Sequence, residues 1–248
     1  MKEERGVAVK RAVIIGASSG VGRALAREMA RRGCVVGATG RREHLLQELH
    51  AENPERIFIK SFDVCDSMQA VAKMEELIGE MGGMDIAVIS AGTGFVNPEL
   101  EWEGERDTID VNVRGFAAMA CFAMRYFYSQ NRGHLVGISS IAAIRGDADA
   151  PAYGASKAFV SMYLDSLRQN ARRRGIPVFV TEIQPGFIDT EMAKGEGLFW
   201  VATPETAARQ ILCDIEKKRH HGYISRRWRI IAWLMRITPG RLWYRIMR

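Results

Sequence analysis

The chain has 248 residues, 47% of them hydrophobic, which suffices for one substantial core and requires no second domain. The net charge of +6 comes from residues 217–248, which hold ten Lys and Arg and no Asp or Glu, so the remaining body is mildly acidic and is not a nucleic-acid-binding module. The charged start has no apolar run of signal-peptide length and the four cysteines lack metal-ligand spacing, so we expect a cytoplasmic protein with reduced thiols in apolar positions and no metal site.

Six apolar runs alternate along the chain with amphipathic segments of helical period. The runs read as strands: RAVIIG at 11–16, GCVVGATG at 33–40, RIFIKSFDV at 56–64, MDIAVISAG at 84–92, GHLVGISS at 133–140 and IPVFVTEIQPG at 176–186. Their apolar residues are continuous, which indicates strands buried on both faces of a parallel sheet. We predict one α/β domain over residues 1–222, a doubly wound, Rossmann-type parallel sheet with helices on both faces, and a basic amphipathic helical tail at 223–248.

The first predicted strand leads directly into a glycine-rich turn, IGASSGVG, with Gly16, Gly20 and Gly22. Glycine allows a tight turn and the close approach of a ligand, and the N–H groups at the start of the following helix attract a pyrophosphate. A strand, this turn and a helix in succession indicate a dinucleotide site. The spacing G-x-x-x-G-x-G differs from the G-x-G-x-x-G fingerprint, so a purely structural turn is the alternative.

The second predicted strand ends at Gly40, Arg41 and Arg42, where an acidic residue would be expected to bind a ribose 2′-hydroxyl. A guanidinium binds phosphate through forked hydrogen bonds, so Arg41, with Arg42, favours a 2′-phosphate and hence NADP(H) over NAD(H). A solvated arginine pair at the start of a helix is the alternative.

The stretch AYGASKAFV places Tyr153 four residues before Lys157, so the two side chains share a face if the segment is helical. A nearby ammonium lowers the pKa of a phenol from its usual value of ~10 and makes it a usable acid or base. Ser140 ends a predicted strand upstream, where its hydroxyl is able to donate to a substrate oxygen. The pattern indicates proton transfer.

In this order and spacing, the glycine turn, the arginine pair, Ser140 and the Tyr153/Lys157 pair resemble the classical short-chain dehydrogenase/reductase family over residues 10–215. The resemblance implies that Tyr153 is the general acid or base and that Lys157 lowers its pKa and holds the nicotinamide ribose. It also implies that Ser140 orients the substrate carbonyl. Asn112, in IDVNVRG, is expected to shape a helix and to hold a water in the proton relay.

The same resemblance implies a set of cofactor contacts. Asp63, with Val64 beside it, is expected at the adenine, although a strand-end cap is an equal alternative for Asp63. The segment QPGFIDT is expected to pass the nicotinamide, with Thr190 at the carboxamide. The full set of expected cofactor contacts is Gly16, Ser18, Ser19, Gly20, Val21, Gly22, Arg41, Arg42, Asp63, Val64, Ser90, Ala91, Gly92, Tyr153, Lys157, Pro185, Gly186, Ile188 and Thr190.

Two positions depart from the pattern of the family. Ile15 stands before the first glycine where a threonine is usual, and Ser90 opens SAGTG where an asparagine is usual. Neither change removes a catalytic group. The hydrogen bonds that the usual threonine and asparagine would make must be replaced by others. Of the properties of the protein, cofactor affinity is the one that we expect these two changes to alter most.

Residues 187–203 occupy the place of a mobile substrate lid in the family, with Gly195 and Gly197 as hinges. Leu198, Phe199 and Trp200 would provide apolar cover, which favours an apolar or aromatic substrate. The loops GTGFVN at 92–97 and AIRGDADAP at 143–151 would add walls to the pocket. For the charged side chains of the second loop, solvent exposure is the favoured alternative.

The tail carries apolar residues at helical spacing among seven arginines, and Pro239 and Gly240 are expected to split it into two short helices. No segment is long enough to span a membrane. We favour packing of its apolar stripe on this subunit or on a partner subunit, and peripheral contact with an anionic membrane at the inner face is the alternative.

The functional hypothesis is an NADP(H)-dependent oxidoreductase that transfers a hydride between the cofactor and a small carbonyl or alcohol substrate. The resemblance implies a homodimer or homotetramer that is formed through the helices around residues 105–130 and 153–174. Two alternatives remain: an NADPH-binding sensor on the same fold, and a lipid carbonyl reductase at a membrane surface.

Overall fold

Seven strands form one parallel sheet in the computed structural model, counted over the residues that it describes, 10–190 and 199–246. The strands are β1 (Arg11–Ile15), β2 (Val35–Gly40), β3 (Ile57–Ser61), β4 (Ile86–Ile89), β5 (Gly133–Ile138), β6 (Val178–Pro185) and β7 (His221–Ile224). Their order in the sheet is β3-β2-β1-β4-β5-β6-β7, so the chain reverses direction across the sheet between β1 and β4. This is the predicted doubly wound fold.

Helices cover both faces of the sheet, as predicted. They are α1 (Gly20–Arg31), α2 (Glu43–Glu52), α3 (Ser67–Met81), α4 (Trp102–Ile109), α5 (Phe116–Ser129), α6 (Pro151–Arg174), α7 (Pro204–Glu216), α8 (Trp228–Ile237) and α9 (Gly240–Ile246), with a π-helical segment at Asp110–Gly115 and a 3₁₀ turn at Ile141–Ala143. Buried side chains of α1, α2 and α7 form one apolar cluster with the sheet. Those of α3, α5 and α6 form a second cluster on the opposite face.

Local sequence signals account for the helix that carries the predicted Tyr153/Lys157 pair. The helix α6 begins with Pro151 in its first turn, where a missing N–H costs nothing. It ends at Gly175, whose φ of 67° is the left-handed conformation that favours glycine at a helix end. Leu164 and Val160 lie in its buried stripe, and each such side chain stabilises the fold by ~2 kcal/mol.

The seventh strand, β7, was not predicted. Its residues pair with β6 in parallel, from Glu182 opposite His221 to Pro185 opposite Ile224, so the sheet continues past the boundary expected at residue 222. The run HGYI is short and begins with His and Gly, so it lacks the β-branched signal of the other strands. His221 is partly buried, and its Nδ1 lies 3.1 Å from the Glu182 carboxylate of the neighbouring strand.

The cysteines are all unpaired, as expected. Cys34, Cys65 and Cys213 are partly buried, but Cys121 is exposed on α5, so the expected apolar position is wrong for that residue. The tail forms two helices, α8 and α9, that are divided at Pro239 as expected. Among the described helices, none combines the length and the hydropathy needed to cross a bilayer.

Candidate active site

The glycine turn lies where the strand order reverses, at the carboxyl ends of β1 and β4. Gly16 and Ala17 donate their N–H groups to the Thr39 carbonyl at 2.9 and 2.8 Å, which ties the turn to β2. Gly16 has a φ of 92°, and a Cβ there would overlap the backbone of Ala91. A Cβ on Gly22 would overlap the Gly16 carbonyl oxygen. Only glycine fits at these two positions, because backbone packs directly against backbone.

The two departures from the family pattern are accommodated by the backbone. The carbonyl of Ile15 accepts hydrogen bonds from the N–H groups of Ser90 and Ala91 at 2.8 and 2.7 Å. The Ile15 side chain is fully buried in the cluster that α3 and α5 form with the sheet. The end of β1 is therefore held to the SAG segment without the threonine hydroxyl or the asparagine amide.

The arginine pair lies between the glycine turn and the end of β3. Arg42 donates to the Ser18 hydroxyl at 3.3 Å and also to that of Ser19. The side chain of Arg41 is 68% exposed, and its Nη1 atom lies 3.7 Å from Oδ2 of Asp63. The Arg42 guanidinium thus meets two hydroxyls, and the exposed Arg41 guanidinium follows from the neighbouring residue, so this end of β2 offers donors suited to a phosphate.

One carboxylate oxygen of Asp63 caps the end of β3, as the alternative interpretation of this residue predicted. Its Oδ1 accepts the N–H of Cys65 at 2.9 Å and so caps the turn after β3. Val64 packs beside it against the π-helical segment, where a Cβ on Gly115 would lie 2.7 Å from Val64 Cγ2. The contact of Asp63 with adenine stays a prediction.

Asn112 lies in the π-helical segment, is 1% exposed, and uses its whole amide group in hydrogen bonds. Its Nδ2 donates to the Thr93 carbonyl at 2.7 Å and to the Ser156 hydroxyl at 2.9 Å, and its Oδ1 accepts the Thr93 N–H at 2.8 Å. Ser156 in turn donates to the carbonyl of Tyr153 at 2.8 Å. Asn112 therefore joins the loop after β4 to α6, and the water that it was expected to hold stays a prediction.

The predicted catalytic groups converge between β5 and α6. Ser140 follows β5 and caps the 3₁₀ turn by accepting the Ala142 N–H at 3.1 Å, and its hydroxyl also interacts with that of Tyr153. Lys157 is 6% exposed, and its Nζ donates to the Ile138 carbonyl at 3.1 Å. That Nζ lies 5.7 Å from the centre of the Tyr153 ring. The three side chains share one small volume at the carboxyl edge of the sheet.

Burial dominates the proton affinities of these groups. It raises the pKa of the Tyr153 phenol above its ordinary value, and the interaction with the Ser140 hydroxyl opposes that rise. Burial also lowers the pKa of Lys157 to about 8, because the ammonium loses its hydration. The expected lowering of the Tyr153 pKa by Lys157 is not met in this structure, since the pKa of Tyr153 is raised.

Sequence reasoning missed two residues that position Tyr153. A Cβ on Gly94 would lie 2.5 Å from Cδ2 of the Tyr153 ring, so the loop after β4 needs glycine there to let the phenol lie against it. Ser156 connects Asn112 to the first turns of α6, as described above. Gly94 belongs to the quoted run SAGTG, but nothing local in the sequence shows which side chain it faces.

The segment after β6 lies beside the glycine turn, as its expected role requires. Thr190 packs against that turn, since a Cβ on Gly20 would lie 3.2 Å from Thr190 Cγ2. Ile188 forms a bridge with Ala202, whose N–H donates to the Phe187 carbonyl at 3.0 Å. The two ends of the expected lid are thereby joined. Residues 191–198, which include the expected hinges and Leu198, lie outside the described residues.

An aromatic cluster lies beside Gly186, where the substrate lid is expected, and its centre comes from the tail. Trp228, at the start of α8, is 3% exposed. Its ring stacks on Phe199, with 5.0 Å between centroids, and meets Phe187 edge-on at 5.2 Å. Gly186 lies against the indole, where a Cβ would overlap the ring, and Trp200 borders the cluster at 6.3 Å from Trp228.

The loop after the 3₁₀ turn holds the other end of the same helix. Arg145 donates from Nε to the Met235 carbonyl at 2.8 Å and from Nη2 to the Thr238 carbonyl, which satisfies free carbonyls at the end of α8. Solvent exposure, the favoured alternative for the charges of this loop, is confirmed for Asp147 and Asp149 and is wrong for Arg145. Arg145 anchors the tail beside the site.

The residues along this edge fit a dinucleotide cofactor. A Cβ on Gly92 would approach Lys157 Nζ at 3.1 Å and Asn112 Oδ1 at 3.3 Å, so the end of β4 leaves a cradle beside Lys157. The start of α1 offers N–H donors to a pyrophosphate, and the arginine pair offers donors to a further phosphate. This donor set matches the chemistry of a nicotinamide dinucleotide.

Comparison with known proteins agrees with this geometry. A family model described as short chain dehydrogenase matches residues 10–198. An uncharacterized oxidoreductase of Myxococcus xanthus is 41% identical over 73% of each chain. An NADP-dependent 3-hydroxy acid dehydrogenase of Escherichia coli is 32% identical over 71% of each chain. The solved closed form of a serine dehydrogenase complexed with NADP+ is 30% identical, with a TM-score of 0.73, and the match covers 82% of this chain and 88% of that one.

Proposed function

This chain belongs to the short-chain dehydrogenase family, and on that premise we propose that it is an NADP(H)-dependent oxidoreductase that interconverts an apolar ketone or aldehyde with its alcohol. One observation carries the proposal. Ser140 at the end of β5 and Tyr153 on α6 converge with the buried Lys157 Nζ, which lies 5.7 Å from the centre of the Tyr153 ring, at the edge of the sheet that bears the glycine turn. This is an arrangement for moving a proton at a substrate oxygen.

Each catalytic side chain has a distinct task in the proposed reaction. A bound nicotinamide cofactor supplies or accepts the hydride. The Ser140 hydroxyl orients the substrate oxygen by hydrogen bonding, and the Tyr153 phenol gives that oxygen its proton during reduction and removes it during oxidation. Burial raises the pKa of Tyr153, which keeps the phenol protonated as the acid of the reductive direction. Lys157 lies beside this phenol. Because burial lowers its pKa to about 8, its side chain is a charged ammonium below that pH and a neutral amine above it.

The cofactor preference is for NADP(H) over NAD(H). Arg41 and Arg42 lie at the end of β2, and Arg42 contacts the hydroxyls of the glycine turn. A 2′-phosphate would find forked guanidinium donors there, whereas a 2′-hydroxyl would find no carboxylate of the usual kind at the end of β2. The NADP-dependent Escherichia coli relative and the NADP-bound serine dehydrogenase support the same choice.

The substrate is apolar or aromatic. Phe187, Phe199 and Trp228 form a contiguous aromatic surface next to Gly186. Such a surface gains free energy by covering apolar area, while the hydroxyls of Ser140 and Tyr153 orient one polar atom of the ligand. The pocket thus suits a carbonyl compound with an apolar body.

The enzyme is a cytoplasmic homodimer or homotetramer. The four unpaired cysteines suit a reducing compartment. Met162 on α6 and Ile109 at the end of α4 are exposed apolar side chains on the helices expected at the subunit interface. Sedimentation equilibrium would measure the mass of the assembly, and replacement of Met162 with Glu is expected to lower it.

The test of the proposed function is the oxidation of NADPH, followed by absorbance, with a panel of aliphatic, aromatic and lipid-like carbonyls. Tyr153→Phe is expected to lower turnover by ~10²- to 10⁴-fold, the usual range for loss of a general acid. Tyr128→Phe is the matched control, because it removes a hydroxyl that bonds Asn170 far from the site. Both variants should bind NADPH as the parent does.

Either of two outcomes would overturn the proposal. Turnover of Tyr153→Phe equal to that of Tyr128→Phe would remove the assigned acid. Tight NADPH binding without turnover of any carbonyl would favour the sensor, which binds the cofactor without using its hydride.

A further inference from the structure

The helix α8 is apolar on two opposite faces, and only one of them packs on the protein. On the inner face Trp228 and Ala232 are buried, and Ile231 and Met235 are partly buried. A surface helix of a globular protein normally shows a single apolar stripe and a polar outer face. The second stripe therefore has no role in the core of this subunit.

The outer stripe has helical spacing of its own. Its four members stand at positions i, i+3, i+4 and i+7, and we call them the α8 stripe: Ile230, 58% exposed, Trp233, 59% exposed, Leu234, 43% exposed, and Ile237, 55% exposed. Large apolar side chains grouped in this way on one surface mark an interaction site rather than scattered exposure.

The helix cannot rotate to bury this stripe, because both of its ends are held. At its start the Trp228 indole is stacked on Phe199 and packed against Phe187. At its end Arg145 binds the carbonyls of Met235 and Thr238. The α8 stripe is therefore presented outward by a fixed helix.

The surroundings of the stripe are strongly cationic. Six arginines of this region are exposed: Arg226, Arg227, Arg229, Arg236, Arg241 and Arg245. Residues 217–248 contain no acidic side chain that could balance them. A second copy of the chain would bring the same positive patch against itself across a two-fold axis, which is unfavourable. An occupant with an apolar interior and anionic groups at its surface satisfies both features.

We infer that the α8 stripe docks on the surface of an anionic lipid bilayer. Ile230, Leu234 and Ile237 enter the boundary between headgroups and acyl chains, and Trp233 lies at the interface that its amphipathic ring prefers. The arginines pair with lipid phosphates, and each adds to the attraction within about one Debye length of the surface. The helix lies in the plane of the membrane and does not span it.

Docking also orients the active site. Trp228 belongs both to α8 and to the aromatic cluster on the substrate side, so the bilayer lies close to that side. The substrate that this arrangement favours is a carbonyl compound dissolved in the lipid phase. This last step rests on the proposed function, whereas the docking itself does not.

The test is co-sedimentation of the full chain with vesicles of phosphatidylcholine alone or mixed equally with phosphatidylglycerol. The parent is expected to bind the anionic vesicles at least ~10-fold more tightly, and added salt should weaken this binding. The double substitution of Trp233→Ser and Ile237→Ser should reduce binding by at least ~10-fold, since it removes two of the four inserted side chains. Trp102→Ser is the matched control, because Trp102 is a similarly exposed tryptophan, at 65%, that lies on α4 and not in the tail.

Two double variants distinguish the arginines that flank the α8 stripe from basic residues elsewhere on the surface. Arg229→Gln with Arg236→Gln should weaken binding, whereas Arg172→Gln with Arg173→Gln on α6 should not. NADPH binding and thermal unfolding of every variant show that the fold is intact, and both readouts are independent of turnover.

Three outcomes would overturn the inference. They are no binding of the parent to anionic vesicles, equal binding by the stripe variant and the Trp102→Ser control, and a fall in oligomer mass for the stripe variant. The last outcome would show that a second copy of this chain covers the stripe. If the parent binds the anionic vesicles but turns over no carbonyl, the result would count against the proposed function alone.

Discussion

The glycine turn and the aromatic cluster, where we propose that the cofactor and the substrate bind, are built on different principles. On the cofactor side, Gly16 and Gly22 bring backbone against backbone, with no side chain that could yield. On the substrate side, Gly186 lies against the indole of Trp228, a side chain that arrives from a helix far along the chain. The first side is closed by backbone that leaves no room for a larger residue, and the second is a wall formed by a side chain.

Replacing a glycine with alanine should therefore destabilise the glycine turn more than the aromatic cluster. The largest loss of stability is expected at Gly22. In Gly22→Ala the new methyl group overlaps the Gly16 carbonyl, so the turn itself must open. We expect a loss of about 3 kcal/mol in the free energy of unfolding, at the upper end for an overpacked position, together with a loss of NADPH binding. Urea unfolding and the fluorescence of bound NADPH measure the two effects.

Gly79→Ala is the control for this change. Gly79 lies in α3, and a Cβ there meets no atom within 4 Å. Because alanine is the better helix former, this variant should unfold with a free energy higher by about 0.5–1 kcal/mol. Equal stability of the two variants would show that the glycine turn is able to accommodate a larger residue.

The second prediction concerns Lys157, which lies between the two sides. Burial lowers its pKa from 10.5 to about 8. Between these two values the folded state binds fewer protons than the unfolded state, so the contribution of Lys157 makes the free energy of unfolding rise with pH. Relative to Lys157→Met, the parent should gain about 3 kcal/mol as the pH rises from 8 to 10.5.

Denaturant unfolding of both proteins at a series of pH values measures this gain. The difference between the two curves is the informative quantity, because it cancels the titration of every group that the proteins share. Parallel curves across the window would mean that Lys157 keeps its charge in the folded state.

The sequence was sufficient wherever the site depends on local pattern. The glycine turn follows a strand and opens a helix, and Tyr153 and Lys157 are four residues apart in one helix, so each relation is visible within a few residues of chain. The sheet followed for the same reason, from continuous apolar runs. The pair Pro239 and Gly240 likewise predicted the division of the tail into two helices.

The substrate side could not be predicted in the same way. Trp228 meets Phe199, Arg145 meets the end of α8, and Gly94 meets Tyr153 only because distant segments pack together. The strand β7 was missed since its four residues are defined by their pairing with β6 and not by their composition. The raised pKa of Tyr153 likewise follows from burial, which spacing alone does not reveal.

The smallest loss of stability is expected at Gly186, which lies against the aromatic cluster. In Gly186→Ala the new methyl group overlaps the indole of Trp228, a side chain that yields more easily than the backbone opposite Gly22, so we expect a loss of about 1 kcal/mol in the free energy of unfolding. The KM for apolar carbonyls should rise more than the Kd for NADPH, because the aromatic cluster is displaced. Gly146→Ala is the control, since a Cβ there meets no atom within 4 Å. Trp228→Leu in the Gly186→Ala background should recover part of the stability by making room for the methyl group, and a purely additive loss would show that the two positions do not touch.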